Sequence, residues 1–101
     1  MPEVVWTSRA EESLLGIYCR LEEDSAGRGE LFLRALDTVV SFLEVYPKMG
    51  AIQFDTVRRL LIRGSSFGLF YVVENRGVIV LRICDLRQNP EWLKRQVLGT
   101  G

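Results

Sequence analysis

The sequence predicts an α+β fold: an N-terminal strand, an αα-hairpin, a three-stranded antiparallel meander forming one sheet against the hairpin, and a short C-terminal helix. Three observations predict it. Residues 10–46 repeat apolar side chains at three- and four-residue steps, interrupted by one short break with two glycines. Residues 57–87 hold three runs of β-formers separated by glycine-containing breaks. Asn89-Pro90-Glu91 then supplies an N-cap, a proline at N1 and a first-turn acid. Residues 1–101 read as one domain, with no internal repeat or low-complexity tract.

Taken in order, Glu3-Val4-Val5-Trp6-Thr7 is a short β-prone run. Ser8-Arg9-Ala10-Glu11 fits a capping box, with the Ser8 hydroxyl expected to accept from the Glu11 amide. Ala10, Leu14, Ile17 or Tyr18, and Leu21 mark one face of a helix of about four turns. Glu22-Glu23-Asp24 crowds its C-terminus with charge that opposes the helix dipole, and the helix is expected to stop there. A second stripe, from Leu31 or Phe32 through Ala35, Leu36, Val39, Phe42 or Leu43 to Tyr46, ends at Pro47. Tyr18 and Tyr46 are placed in the core. Residues 48–56 read as a connecting loop.

In the meander, residues 67–73 are apolar on both faces and read as the central strand, covered on both sides. In the last run, strict alternation puts Ile79, Leu81 and Ile83 on one face and Val80, Arg82 and Cys84 on the other. The first run carries arginines on both faces, as suits an edge strand protected against further pairing. Glu74-Asn75-Arg76-Gly77 is expected to form a type I turn with Gly77 in the left-handed position.

Net charge is zero, yet unevenly spread. Residues 1–55 hold five bases against ten acids, and residues 56–101 hold eight bases against three. The basic half carries Arg58, Arg59, Arg63, Arg76, Arg82 and Arg87 in or beside the meander. That arrangement is either a pair of solvated faces or a surface for an acidic protein segment or nucleic acid. The chain has no histidine, which excludes Ser-His-Asp and Cys-His nucleophiles, an imidazole base and His-containing zinc sites. Two cysteines cannot make a Cys-only zinc site, and both Cys19 and Cys84 are read as small buried hydrophobes. No cofactor is expected. Neither a signal peptide nor a membrane-spanning run is apparent, so a cytoplasmic protein with no membrane partner is expected.

The order of these features resembles the RelE/ParE superfamily of toxin–antitoxin toxins from Val4 to about Lys94. The resemblance rests on Val4, Trp6, Thr7, Ala10 and Glu11 at the start, and on Ile17-Tyr18 late in the first helix. It continues through Tyr46-Pro47, the run V-R-R-L at 57–60, F-G-L-F-Y-V-V at 67–73 and I-V-L-R-I-C-D-L-R-Q-N-P at 79–90. It implies a toxin silenced by a wrapping antitoxin segment. RelE-like members cleave messenger RNA on the ribosome, whereas ParE-like members poison DNA gyrase by binding. Nuclease members keep an arginine early in the central strand, where Gly68 stands here, and many keep a histidine where Asp85 stands. They also carry a late tyrosine, for which the nearest aromatic is Trp92. An acid in place of a proton donor would repel phosphate.

The resemblance therefore points to a ParE-like toxin whose partners are a cognate antitoxin and DNA gyrase. An mRNA interferase acting on the ribosome, and a relic that keeps only antitoxin binding, are the alternatives. Arg59, Arg82 and Arg87 are the residues a nuclease could use as phosphate clamps. Arg58, Arg59, Arg63, Arg87 and Trp92 are the candidates for target or antitoxin binding. Arg58 and Arg59 read equally as edge protection. Arg82 is expected to pair with an acid on a helix. Trp92 reads as a core cap or an interface anchor, and Arg87 matches the superfamily's arginine after the last strand.

Overall fold

The computed structural model describes residues 2–75 and 77–99. Along the chain it places β1 (Glu3–Trp6), α1 (Ser8–Asp24), α2 (Arg28–Val45), β2 (Ala51–Phe54), β3 (Val57–Leu61), β4 (Phe67–Glu74), β5 (Gly77–Asp85) and α3 (Pro90–Leu98). The expected elements are present, and one strand is added. The sheet has five strands in the order β1-β5-β4-β3-β2, with β1 parallel to β5 and the other pairs antiparallel.

The added strand is β2, where the sequence had suggested a loop. Its residues Ala51, Ile52 and Gln53 are all exposed, so no alternation marks it. The turn into β3 lacks glycine. Asp55 takes the left-handed conformation instead, at φ 50°, a role that a short polar side chain tolerates. Because β2 covers β3, the arginine-bearing run is an interior strand and not the sheet's edge.

The helical hairpin covers one face. Ala10 and Ile17 of α1 and Phe32, Leu36, Val39 and Leu43 of α2 pack on Ile62, Leu69, Tyr71, Val78, Val80 and Ile83. Phe32 meets Phe67 edge-on, with centroids 5.5 Å apart. On the opposite face, Leu93 and Val97 of α3 pack on Val57, Phe70 and Cys84. The central strand β4 is thus covered on both sides, as its sequence requires.

Alternation in β5 is broken by a bulge. Tyr71 pairs with Val80 and Phe70 with Arg82, so Leu81 is the extra residue. Val80 and Ile83 consequently both join the hairpin core, and Leu81 packs with Cys84 on the α3 side. The strict face assignment made from sequence fails at this residue.

Local capping also differs. Thr7, not Ser8, is the N-cap of α1: its hydroxyl accepts from the Ala10 amide at 3.1 Å. The N-cap of α2 is Gly27, which has no capping side chain and takes φ 92°. The Glu22 carboxylate of α1 does the capping, accepting from the Gly27 and Gly29 amides at 3.0 and 2.6 Å. An acid that disfavours the end of one helix thereby stabilises the start of the next. Gly29 permits this approach, since a Cβ there would lie 2.8 Å from the Tyr18 ring. Asn89 caps α3 as expected, accepting from the Glu91 and Trp92 amides.

Tyr46 is 62% exposed and Cys19 is also exposed, correcting two core assignments. Cys19 lies about 200° around the helix from buried Ile17. Cys84 is buried as expected, and burial raises its thiol pKa. The Glu74–Gly77 turn includes Arg76, which lies outside the described residues. Gly77 itself is needed for close approach, because a Cβ there would collide with the Glu3 carbonyl of the neighbouring strand.

Candidate functional site

The sheet's twisted pairing sorts the candidate arginines into three places. Arg59 and Arg82 flank Phe70 in one cross-strand row on the α3 face. Both are half-buried, and among the described residues neither makes an ion pair. The helix acid expected as a partner for Arg82 is absent there because the bulge turns Arg82 away from the hairpin. Two arginines on either side of an aromatic ring form a cationic strip able to meet carboxylates or phosphates.

Arg58 points to the other face and is occupied. Its Nη1 donates to the Lys48 and Gly50 carbonyls at 3.1 and 2.7 Å. It thus holds the chain entering β2, while the Tyr71 hydroxyl accepts from the Gly50 amide at 2.9 Å.

Arg63 and Arg87 come together at the end of the sheet, around a cavity of about 540 Å³ beneath the helical hairpin. Arg87 is held by Asp85. Its Nε donates to Oδ1 at 3.0 Å, its Nη2 to Oδ2 at 2.7 Å, and its amide to Oδ1 at 3.0 Å. This Arg87 hydrogen bonding, above all from its side chain, lowers the Asp85 pKa to about 2. Asp85 is therefore a carboxylate throughout the neutral range. Next to it, Gly68 is buried under Leu86: a Cβ at residue 68 would lie 2.6 Å from Leu86 Cδ2. No larger side chain fits at that point of the central strand unless Leu86 moves.

Trp92 is 38% exposed on α3, next to buried Leu93. Sequence reasoning missed the hairpin's share of the cavity, namely Arg20, Asp24 and Arg28. Their four-residue spacing across the helix break was the available signal, and Arg28 meets Asp24 at 3.4 Å. Among the described residues no cluster of potential metal ligands occurs, and no helix is long and apolar enough to cross a membrane.

Comparison with curated proteins gives no match. Among solved structures, one described as a chromosomal ParDE TA system from P. aeruginosa superposes with a TM-score of 0.63 at 23% identity. The match covers 84% of this chain and 96% of that one, and at such identity it speaks for the fold. The family model described as the ParE toxin of the type II toxin-antitoxin system parDE matches residues 4–90. With that match across both the hairpin and the sheet, the chain belongs to the ParE toxin family of type II toxin–antitoxin systems.

Proposed function

We propose that this chain, residues 1–101 as one toxin domain, inhibits DNA gyrase by binding it and is neutralised by a cognate antitoxin in the cytoplasm. Family membership supports the toxin class. The observation that favours binding over RNA cleavage is Asp85: at a pKa of about 2 it donates no proton near neutral pH. Its neighbour Arg87 is already engaged by it, and Gly68 offers no phosphate-binding side chain. Arg59 and Arg82, unpaired among the described residues, are the proposed target contacts, with the part-exposed Trp92 of α3 as a proposed anchor.

The purified chain is expected to block supercoiling by gyrase and to leave messenger RNA intact on translating ribosomes. Adding the antitoxin should restore supercoiling. Arg59→Glu together with Arg82→Glu should abolish inhibition while leaving the fold unchanged by circular dichroism. Cleavage of ribosome-bound messenger RNA with unaffected gyrase would overturn the proposal.

A further inference from the structure

The segment running from the end of α2 into β2 keeps an apolar surface that the gyrase reading does not use. Phe42, Val45, Tyr46, Met49 and Ile52 are each 48–62% exposed. Phe42, Val45 and Tyr46 stand three and four residues apart at the close of α2 and so share one flank of it. The Met49 amide donates to the Tyr46 carbonyl at 3.1 Å, which turns the chain towards β2. Ile52 pairs with Arg58 across β2 and β3, and so lies on the hairpin side of the sheet with them. Arg58 Nη1 holds the Lys48 and Gly50 carbonyls and the Tyr71 hydroxyl holds the Gly50 amide, so the segment is fixed in place.

β2 is also an outer strand of the sheet, open along its far side. Alternate residues there turn their N–H and C=O groups away from β3. No lysine or proline guards Ala51–Phe54 from within, and the one irregularity comes late, between Ile52 and Phe54. Charges stand just outside the strand, Lys48 before it and Asp55 after it. Both are exposed, and among the described residues neither makes an ion pair.

We propose that this edge and patch bind a second copy of this chain, with β2 pairing antiparallel to its counterpart about a two-fold axis perpendicular to the sheet. Three features select a second copy. First, the charge order is self-complementary. Antiparallel pairing centred between Ala51 and Ile52 brings Lys48 of each copy to the partner subunit's Asp55, so both ends match at once. Second, such an axis sets both hairpins on one side of the doubled sheet, where each apolar patch meets the other. Third, the size is adequate. A half-exposed large side chain offers on the order of 100 Å². Five of them supply more than half of the roughly 800 Å² per partner that a stable interface buries, and the paired edges add to it. The Arg59 and Arg82 strip lies on the other face and stays uncovered, so the proposal is independent of the gyrase reading.

The test is analytical ultracentrifugation of the full chain over a wide range of concentration. The chain should sediment as two copies at the high end and as one on dilution. Tyr46→Glu together with Ile52→Glu should raise the dissociation constant by at least about tenfold. Leu15→Glu, an exposed apolar change on α1 away from the patch, should leave it unchanged. Lys48→Asp and Asp55→Lys should each weaken self-association, because each sets like charges together at both ends. Mixed, these two variants should pair with one another, since every contact then joins opposite charges. Circular dichroism checks that Asp55→Lys, at a residue with φ 50°, keeps the fold. In the unaltered protein, hydrogen exchange at the outward amides of β2 should slow as concentration rises. A chain that stays single at every concentration, a dimer that survives Tyr46→Glu with Ile52→Glu, or folded charge variants that fail to pair when mixed would overturn the proposal. So would an equal loss with Leu15→Glu, which would put the interface elsewhere. A single chain whose β2 amides become protected only when the antitoxin is added would also overturn it, in favour of that partner.

Discussion

The Thr7 hydroxyl joins the start of α1 to the bulge in β5: it accepts from the Ala10 amide and donates to the Leu81 carbonyl at 3.2 Å. The Thr7 amide also donates to the Val80 carbonyl at 3.1 Å, and Ser13 Oγ accepts from the Ile83 amide at 3.1 Å. The bulge takes β5 backbone groups out of the ladder, and α1 satisfies them. Thr7→Ala should therefore cost about 2 kcal/mol in denaturant unfolding, as a lost cap and a lost tertiary bond together. Thr7→Ser, which keeps the oxygen, should recover most of it.

Tyr71 and Gly50 are similarly coupled. Tyr71→Phe leaves the buried Gly50 amide without its partner and should destabilise by about 1–3 kcal/mol. Gly50→Ala should cost more, since its Cβ would lie 2.7 Å from the Tyr71 hydroxyl and 2.8 Å from the Arg59 carbonyl. Burial raises the Tyr71 pKa, against smaller opposing effects of the Gly50 bond and the Arg58 charge. The folded state thus holds its proton where the unfolded chain releases it. Stability from this group is complete below pH about 10 and falls as pH rises further. Alkaline unfolding of Tyr71→Phe should lack that contribution.

Glu22→Ala removes the carboxylate that caps α2 and should lower stability by about 1 kcal/mol. Glu22→Gln keeps an acceptor without the charge and should lose less. Amide hydrogen exchange at Gly27 and Gly29 would show the loss where it occurs.

At the opposite end, the Asp85 carboxyl should titrate near pH 2 by NMR. Arg87→Ala should move it up towards the usual carboxylate range. Its folded pKa is lowered, so its contribution to stability is present above the unfolded value of about 3.9 and is lost as pH falls through about 2.

Gly68→Ala should destabilise by about 1 kcal/mol by displacing Leu86, with the penalty largely suppressed in a Leu86→Ala background. Four equilibrium unfolding curves suffice. Independent, additive losses would show that the two side chains do not compete for one space.

The hairpin, the meander from β3 to β5 and α3 were legible because their burial imposes a regular period. Leu36, Val39 and Leu43 are as buried as their spacing demands. β2 was illegible because its side chains are exposed, and an Asp55 turn carries no glycine to announce it. The bulge at Leu81 was equally hidden, since nothing in V-I-V-L-R-I-C marks an extra residue. At the site, each arginine was visible but its company was not. Arg63 and Arg87 meet through strand pairing, and Arg20 joins them through helix–sheet packing, both properties of the folded chain alone. Resemblance located Gly68 and Asp85; only the folded chain sets Leu86 above one and Arg87 against the other.

The parallel pairing of β1 with β5 has a kinetic consequence. Glu3 faces Gly77, 74 positions further along the chain, whereas the hairpin and the meander close through near neighbours. Closing so long a loop costs entropy that local contacts avoid, and such pairings form late. During synthesis, β1 and α1 emerge first and wait without a strand partner until β5 follows. The nascent chain thus exposes its acidic hairpin well before the arginine-rich sheet is complete, and the β1–β5 pairing closes late.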